Sequence, residues 1–253
     1  MCKGAALAYD DLFFDHVDSG AIRSARAFIS ALFPALSPQS VLDVGCGRGG
    51  WARVWRENGV NQVVGIDGDY VDRTTLQIEA ESFIVIDLVH PFNLGEVFDL
   101  VQCLEVAEHI PKSSARGLVE SLCRHGDTIL FSAATPGQGG THHINEQPLE
   151  YWRALFATQG YRPFDFLRPR FEKNAQVEPW YRYNSLLYVK ESAIVKLPEV
   201  IHQTGLASGE PIREFGSLAW RCRKMLVRML PARFHDVAAK ITLTLRGVLR
   251  RTN

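Results

Sequence analysis

The stretch VLDVGCGRGGW, residues 41–51, limits the possible folds more than any other part of the chain. An unbroken apolar run reads as a strand covered on both faces. A glycine-rich turn follows it directly, and helical spacing begins near Trp51. Asp43, Gly45, Gly47 and Gly49 make a D-x-G-x-G-x-G pattern across that turn. Glycines there permit a tight reversal and let the backbone come close to a ligand.

The same alternation continues along the chain. Further apolar strands are expected at 62–67, 83–87, 97–104 and 127–134, and helices at 51–58, 112–125 and 148–158. Residues 9–33 have helical spacing and are expected to stop at Pro34. Residues 161–167 and 184–190 read as two final strands, antiparallel to each other, with a loop between them too long to be a simple connector. Strands alternating with helices indicate an α/β fold with a parallel sheet covered on both faces. The expected organisation is N-terminal lid helices (1–34), a ligand-binding domain (35–190), a linker (191–211) and a helical tail (212–253).

Apolar residues make up 46% and charged residues 22% of the chain, as in an ordinary water-soluble domain. The formal charge is zero, but residues 212–253 hold ten Lys/Arg against two Asp/Glu. The body is therefore acidic and the tail basic, which argues against nucleic acid as the partner of the body. The five cysteines are scattered without a CxxC, as in a reducing compartment. With no basic and apolar leader and no spanning run, the expectation is a cytoplasmic protein.

Asp67 lies twenty residues after Gly47 at the end of the second strand, where a carboxylate can bond both hydroxyls of a ribose. Asp87 ends the third strand at the same sheet edge. The glycine spacing lacks the G-x-G-x-x-G of dinucleotide enzymes, because Trp51 stands where a small residue is needed. The layout resembles the class I S-adenosylmethionine (SAM)-dependent methyltransferases over residues 35–190. That resemblance implies a Rossmann-like, seven-stranded, mostly parallel sheet whose last strand pair is antiparallel. It also implies SAM as cofactor, with Asp67 on its ribose, Asp87 near its adenine amine and Gly45 and Gly47 beside its methionine. Asp43, Gly49 and Leu104, at the end of the fourth strand, complete the cofactor-binding set.

CLEVAEHIP follows the fourth strand, and a helical turn there would put Glu105, Glu108 and His109 on one face. Two carboxylates and an imidazole at a strand end are costly to gather unless a positive group sits among them. The loop after the fifth strand reaches the same edge and carries His142 and His143. E-x-x-E-H with a later histidine is similar to the metal-dependent small-RNA 2′-O-methyltransferases and the ubiquinone-pathway O-methyltransferases. The match implies Glu105, Glu108, His109 and His143 as ligands of a divalent metal (Mn, Mg, Fe, Co or Zn), with His142 as a base or a supporting group. The alternative is a metal-free pocket in which His109 or His142 acts as general base.

Either chemistry favours an oxygen acceptor, and a metal favours adjacent hydroxyls. The expected function is O-methylation of a glycan or other polyhydroxylated small molecule. RNA 2′-O-methylation and a non-catalytic SAM-binding subunit are the alternatives. Aromatic and basic residues in two segments offer acceptor walls: Tyr9, Phe13, Phe14 and His16 in one, Arg168, Arg170, Phe171, Trp180 and Tyr181 in the other. The tail reads as two basic amphipathic helices broken at Pro231. Such helices suit a membrane surface, the body of the protein or a second subunit.

Overall fold

The computed structural model describes residues 11–229, with side chains from residue 19 onward. The elements run α1 (Asp11–Leu36), β1 (Ser40–Val44), α2 (Gly50–Glu57), β2 (Gln62–Asp67), β3 (Phe83–Val85), β4 (Leu100–Leu104), α3 (Ala115–His125), β5 (Thr128–Ser132), α4 (Leu149–Ala157), β6 (Tyr161–Phe164), α5 (Arg168–Phe171), α6 (Pro179–Asn184), β7 (Leu186–Lys190), α7 (Glu199–His202) and α8 (Leu218–Met229), with short 3-10 turns between some of them. The seven strands form one sheet in the order β3-β2-β1-β4-β5-β7-β6. β1 to β5 are parallel, and β7 lies antiparallel to both β5 and β6.

Side-chain alternation along the central strands divides the core into two layers. Leu100 and Leu104 of β4 and Leu130 of β5 join Phe28, Trp55 and Leu187 on one face. Val101, Cys103, Ile129 and Phe131 point the other way, onto Leu118, Trp152 and Phe156. All five residues of β4 are buried, as a strand covered on both faces requires. The strand order reverses between β1 and β4, so the loops after them part at the sheet's carboxyl edge. That is the place where such sheets bind ligands.

Four expectations are corrected. α1 runs through Pro34 to Leu36, because proline in a last turn removes one hydrogen bond without ending the turn. Ser37, at φ 43°, ends the helix instead. Residues 191–211 are not a free connector. Ile201 is fully buried, Gly205 bridges Phe164 at the sheet edge, and Leu206 N donates to Pro163 O at 2.9 Å. The 97–104 strand is regular only from Leu100, and 83–87 only to Val85. Part of the segment 168–181 packs inward: Arg168 is fully buried and its Nε and second guanidinium nitrogen each reach Asp165 at 2.8 Å. Phe171 and Tyr181 join the core against Phe28 and Trp51. Arg168, Phe171 and Tyr181 are thus packed into the body, while Arg170 stays exposed and Trp180 half-buried.

Of the expected lid aromatics, Tyr9 lies outside the described residues, as does the second tail helix expected beyond Pro231, and Phe13, Phe14 and His16 fall in the first turns of α1, where only the backbone is described. α8, the first tail helix, packs on the body: Trp220 and Val227 are buried, and Lys224 reaches Thr135 Oγ1 at 2.9 Å. No described helix is long and apolar enough to cross a membrane.

Candidate active site

The site has two halves on one sheet edge. In the first, β1 ends in the glycine turn. Gly45 (φ 75°) could carry no side chain, since a Cβ would stand 2.3 Å from Val106. Gly47 (φ 55°) has open space where its Cβ would be, so ligand atoms can come up to the backbone there. Gly49, also left-handed at φ 83°, caps α2. The turn is tied to β2 by Asp67: Oδ2 accepts from Gly47 N at 2.7 Å, and Oδ1 accepts from Gly68 N and from the Tyr70 hydroxyl. Burial pushes the Asp67 carboxyl above the usual carboxylate range.

Asp43 is buried beside it and its Oδ2 has no hydrogen-bond partner. Burial, reinforced by the negative charge of Asp67, raises its pKa to about 7. Asp87 is exposed just past β3, on the same edge, and accepts from Val89 N at 3.0 Å. Leu104 is buried at the end of β4.

The second half begins where β4 ends. Glu105 adopts φ 56°, a left-handed conformation that costs a non-glycine residue about 1–2 kcal/mol. Its backbone N donates to Ser132 O at 3.0 Å, which locks the turn to β5. Glu108 and His109 follow on a 3-10 turn, Ala107–His109, in place of the α-helical turn expected. Glu108 is fully buried and neither carboxylate oxygen has a hydrogen-bond partner of good geometry, although the backbone amides of Glu108 and Ala134 stand near enough to favour its charged form. Burial, with the charge of Glu105 added, holds it well above the usual range.

Ligand atoms of Glu108, His109 and His143 lie within 4.8 Å of one another. The two imidazoles meet edge to face at 4.9 Å. Backbone bonds from Ile144 N (2.9 Å) and Asn145 N (3.0 Å) to Glu108 O hold the later loop against this turn.

The structure thus gathers three of the four expected ligands and gives Glu105 other partners. Gln138 Nε2 donates to Glu105 Oε2 at 2.6 Å, and Asn184 Nδ2 bonds Gln138 Oε1 at 2.8 Å. His142 enters through its backbone, which hydrogen-bonds the His109 ring, while its own side chain is exposed. Glu146 Oε1 lies 2.9 Å from His143 Nδ1.

The residues missed by sequence reasoning are Gln138, Asn184 and Glu146. Only Glu146 had a local signal, standing three residues after His143 on a short loop. The arrangement suits a divalent cation. Bare buried carboxylate oxygens are costly unless a positive group meets them, and both histidines have a partner on the backbone or a carboxylate that orients them.

A model of the methyltransferase domain matches residues 16–168, more than half of the chain. No curated protein matches the sequence. Among solved structures the chain is similar to the sugar N-methyltransferase KedS8 of Streptoalloteichus, with 18% identity and a TM-score of 0.53 over 75% of this chain and 98% of that one. It is also similar to DesVI of Streptomyces venezuelae, at 14% identity and a TM-score of 0.56 over 71% and 96%. A third likeness is to magnesium protoporphyrin IX methyltransferase of Synechocystis with bound SAM, at 18% identity and a TM-score of 0.51 over 73% and 86%. The chain belongs to the methyltransferase domain family and has the class I SAM-dependent methyltransferase fold.

Proposed function

We propose that this chain is a SAM-dependent O-methyltransferase that holds a divalent cation at Glu108, His109 and His143 and methylates a hydroxyl of a glycan or other polyhydroxylated small molecule. The observation that carries this reading is Glu108, a buried carboxylate whose two oxygens lack a hydrogen-bond partner of good geometry, facing two oriented imidazoles. The cation, when bound, supplies Lewis acidity to the acceptor oxygen and holds adjacent hydroxyls in one orientation.

The chain's own residues do the rest. Asp67 accepts the ribose hydroxyls, exchanging its bond from Tyr70 for theirs. The open backbone at Gly47 lets the methionine end of SAM lie against the turn. Glu105, fastened by Gln138 and Asn184, closes the floor between the two halves. The methyl group leaves a sulfonium for the acceptor oxygen as that oxygen gives its proton to solvent water, and the sulfur departs as neutral thioether. Alignment of acceptor and methyl is therefore the enzyme's main task. A glycan suits the acidic body of the chain better than an RNA does.

The test is transfer of labelled methyl from SAM into lipid, glycan, RNA and protein fractions, with chelator and with Mn or Mg restored. Label in the glycan or glycolipid fraction that chelator abolishes is expected. Glu108→Ala should lower turnover at least about 100-fold and leave SAM affinity unchanged. Label that resists chelator would remove the cation from the mechanism, and label in RNA or protein would replace the acceptor class.

A further inference from the structure

An imidazole works through whichever nitrogen its surroundings leave bare, and that is decided by what the other nitrogen holds. In His143 the held nitrogen is Nδ1, 2.9 Å from Glu146 Oε1. Glu146 is already committed to accepting. Gly139 N donates to the same oxygen at 2.7 Å, and Gly137 N donates to Oε2 at 2.7 Å. An ionised carboxylate offers only acceptors, so the nitrogen facing it must carry the hydrogen. Both side chains are well shielded, at 12% and 13% exposure, and water competes little for the contact.

The other edge of the ring is shaped as closely. A Cβ on Gly140 would stand 2.1 Å from His143 Nε2, so the backbone passes against that edge of the imidazole and a side chain at 140 would displace the ring. The loop that presents the two amides is itself fastened from outside. Arg228 Nε donates to Pro136 O at 2.9 Å, Arg223 donates to Gln138 O, and Lys224 Nζ reaches Thr135 Oγ1 at 2.9 Å.

We propose that Glu146 is a positioning residue that fixes His143 as its Nδ1–H tautomer and so leaves Nε2 as the ring's acceptor nitrogen in the cluster with Glu108 and His109. The tautomer stands on hydrogen bonds alone. Its use, as a ligand nitrogen, rests on the cation reading above.

Long-range 1H–15N spectra of the histidine rings test it on the uniformly labelled, chelator-treated protein at about pH 8. The His143 signals are assigned by their loss in His143→Asn. The expected result is an Nδ1–H pattern for His143 in the wild type and a shift toward Nε2–H in Glu146→Ala. Cobalt(II) affinity, read from its visible absorption, is expected to fall about 10–100-fold in the same variant, with S-adenosylhomocysteine affinity unchanged. An Nε2–H pattern in the wild type overturns the proposal whatever happens to that variant's folding. So does a tautomer indifferent to loss of Glu146. Nδ1–H with no cobalt binding in the wild type upholds the role of Glu146 and overturns the cation.

Discussion

Asp43 and Glu108 carry the same kind of cost. Each is a buried carboxyl with an oxygen that no protein donor satisfies, placed where a ligand would lie. For Asp43 the cost can be read through pH. Its folded pKa is raised from 3.8 to about 7, mainly by burial. Between those values the folded protein keeps a proton that the unfolded chain has lost. Stability therefore falls as pH rises through this window and levels off above it, the reverse of a salt-bridged aspartate. Full expression of the shift amounts to about 4 kcal/mol, at roughly 1.4 kcal/mol per pH unit. Asp43→Asn is expected to abolish the fall. Denaturation midpoints at about pH 5 and pH 8 should show the ligand-free variant gaining on the parent only at the higher pH. A difference independent of pH would mean that Asp43 is ionised throughout.

The loop 135–140 and α8 show the same economy at the scale of elements. Lys224 is 7% exposed, and burial lowers its pKa, so its ammonium depends on Thr135 Oγ1 and on Glu214 at 3.6 Å. Lys224→Met keeps the stem and removes the bond. It should cost about 1–3 kcal/mol of stability and loosen the loop that carries Gln138 and the Gly137 and Gly139 amides. Steady-state kinetics should then show kcat falling while the KM for SAM holds. Equal losses in both would place α8 in cofactor binding instead.

That dependence was hard to see in the sequence. The central strands were legible because a strand buried on both faces is a continuous apolar run, and 62–67 matches its expected limits. The glycine turn, the place of Asp67 at the end of β2 and the closeness of Glu108 to His109 were legible because short local spacing carries them. Gln138, Asn184 and Glu146 gain meaning only when three separate loops converge. Lys224 gives no local sign of its burial, because a helical charge pattern does not record what packs against it. Glu105 shows the converse: its spacing matched a ligand set, yet a left-handed backbone and two amide side chains claim its carboxylate.

For the molecule as a whole, the reversal of strand order between β1 and β4 puts the groups proposed to bind the donor and those proposed to bind the acceptor on different strand ends of one rigid sheet. The proposed donor half hangs on β1 and β2, the proposed acceptor half on β4 and β5, and buried Val44, Leu42 and Val101 keep the strands in place beneath them. Sites built this way should add their ligand energies independently when no side chain serves both. S-adenosylhomocysteine at about one hundred times its Kd should contribute about 2.7 kcal/mol, a rise in Tm of about 5–10 °C for a chain of this size. Asp67→Ala is expected to lose most of that rise and keep the shift caused by cobalt(II). Glu108→Ala is expected to do the opposite, and the wild type with both ligands should show roughly the sum. Thermal melts of the three proteins, with each ligand alone and with both, would settle it. If either variant abolishes both shifts, the halves are coupled. Glu105 would then be the first residue to suspect, because its backbone ends β4 while its charge raises Glu108.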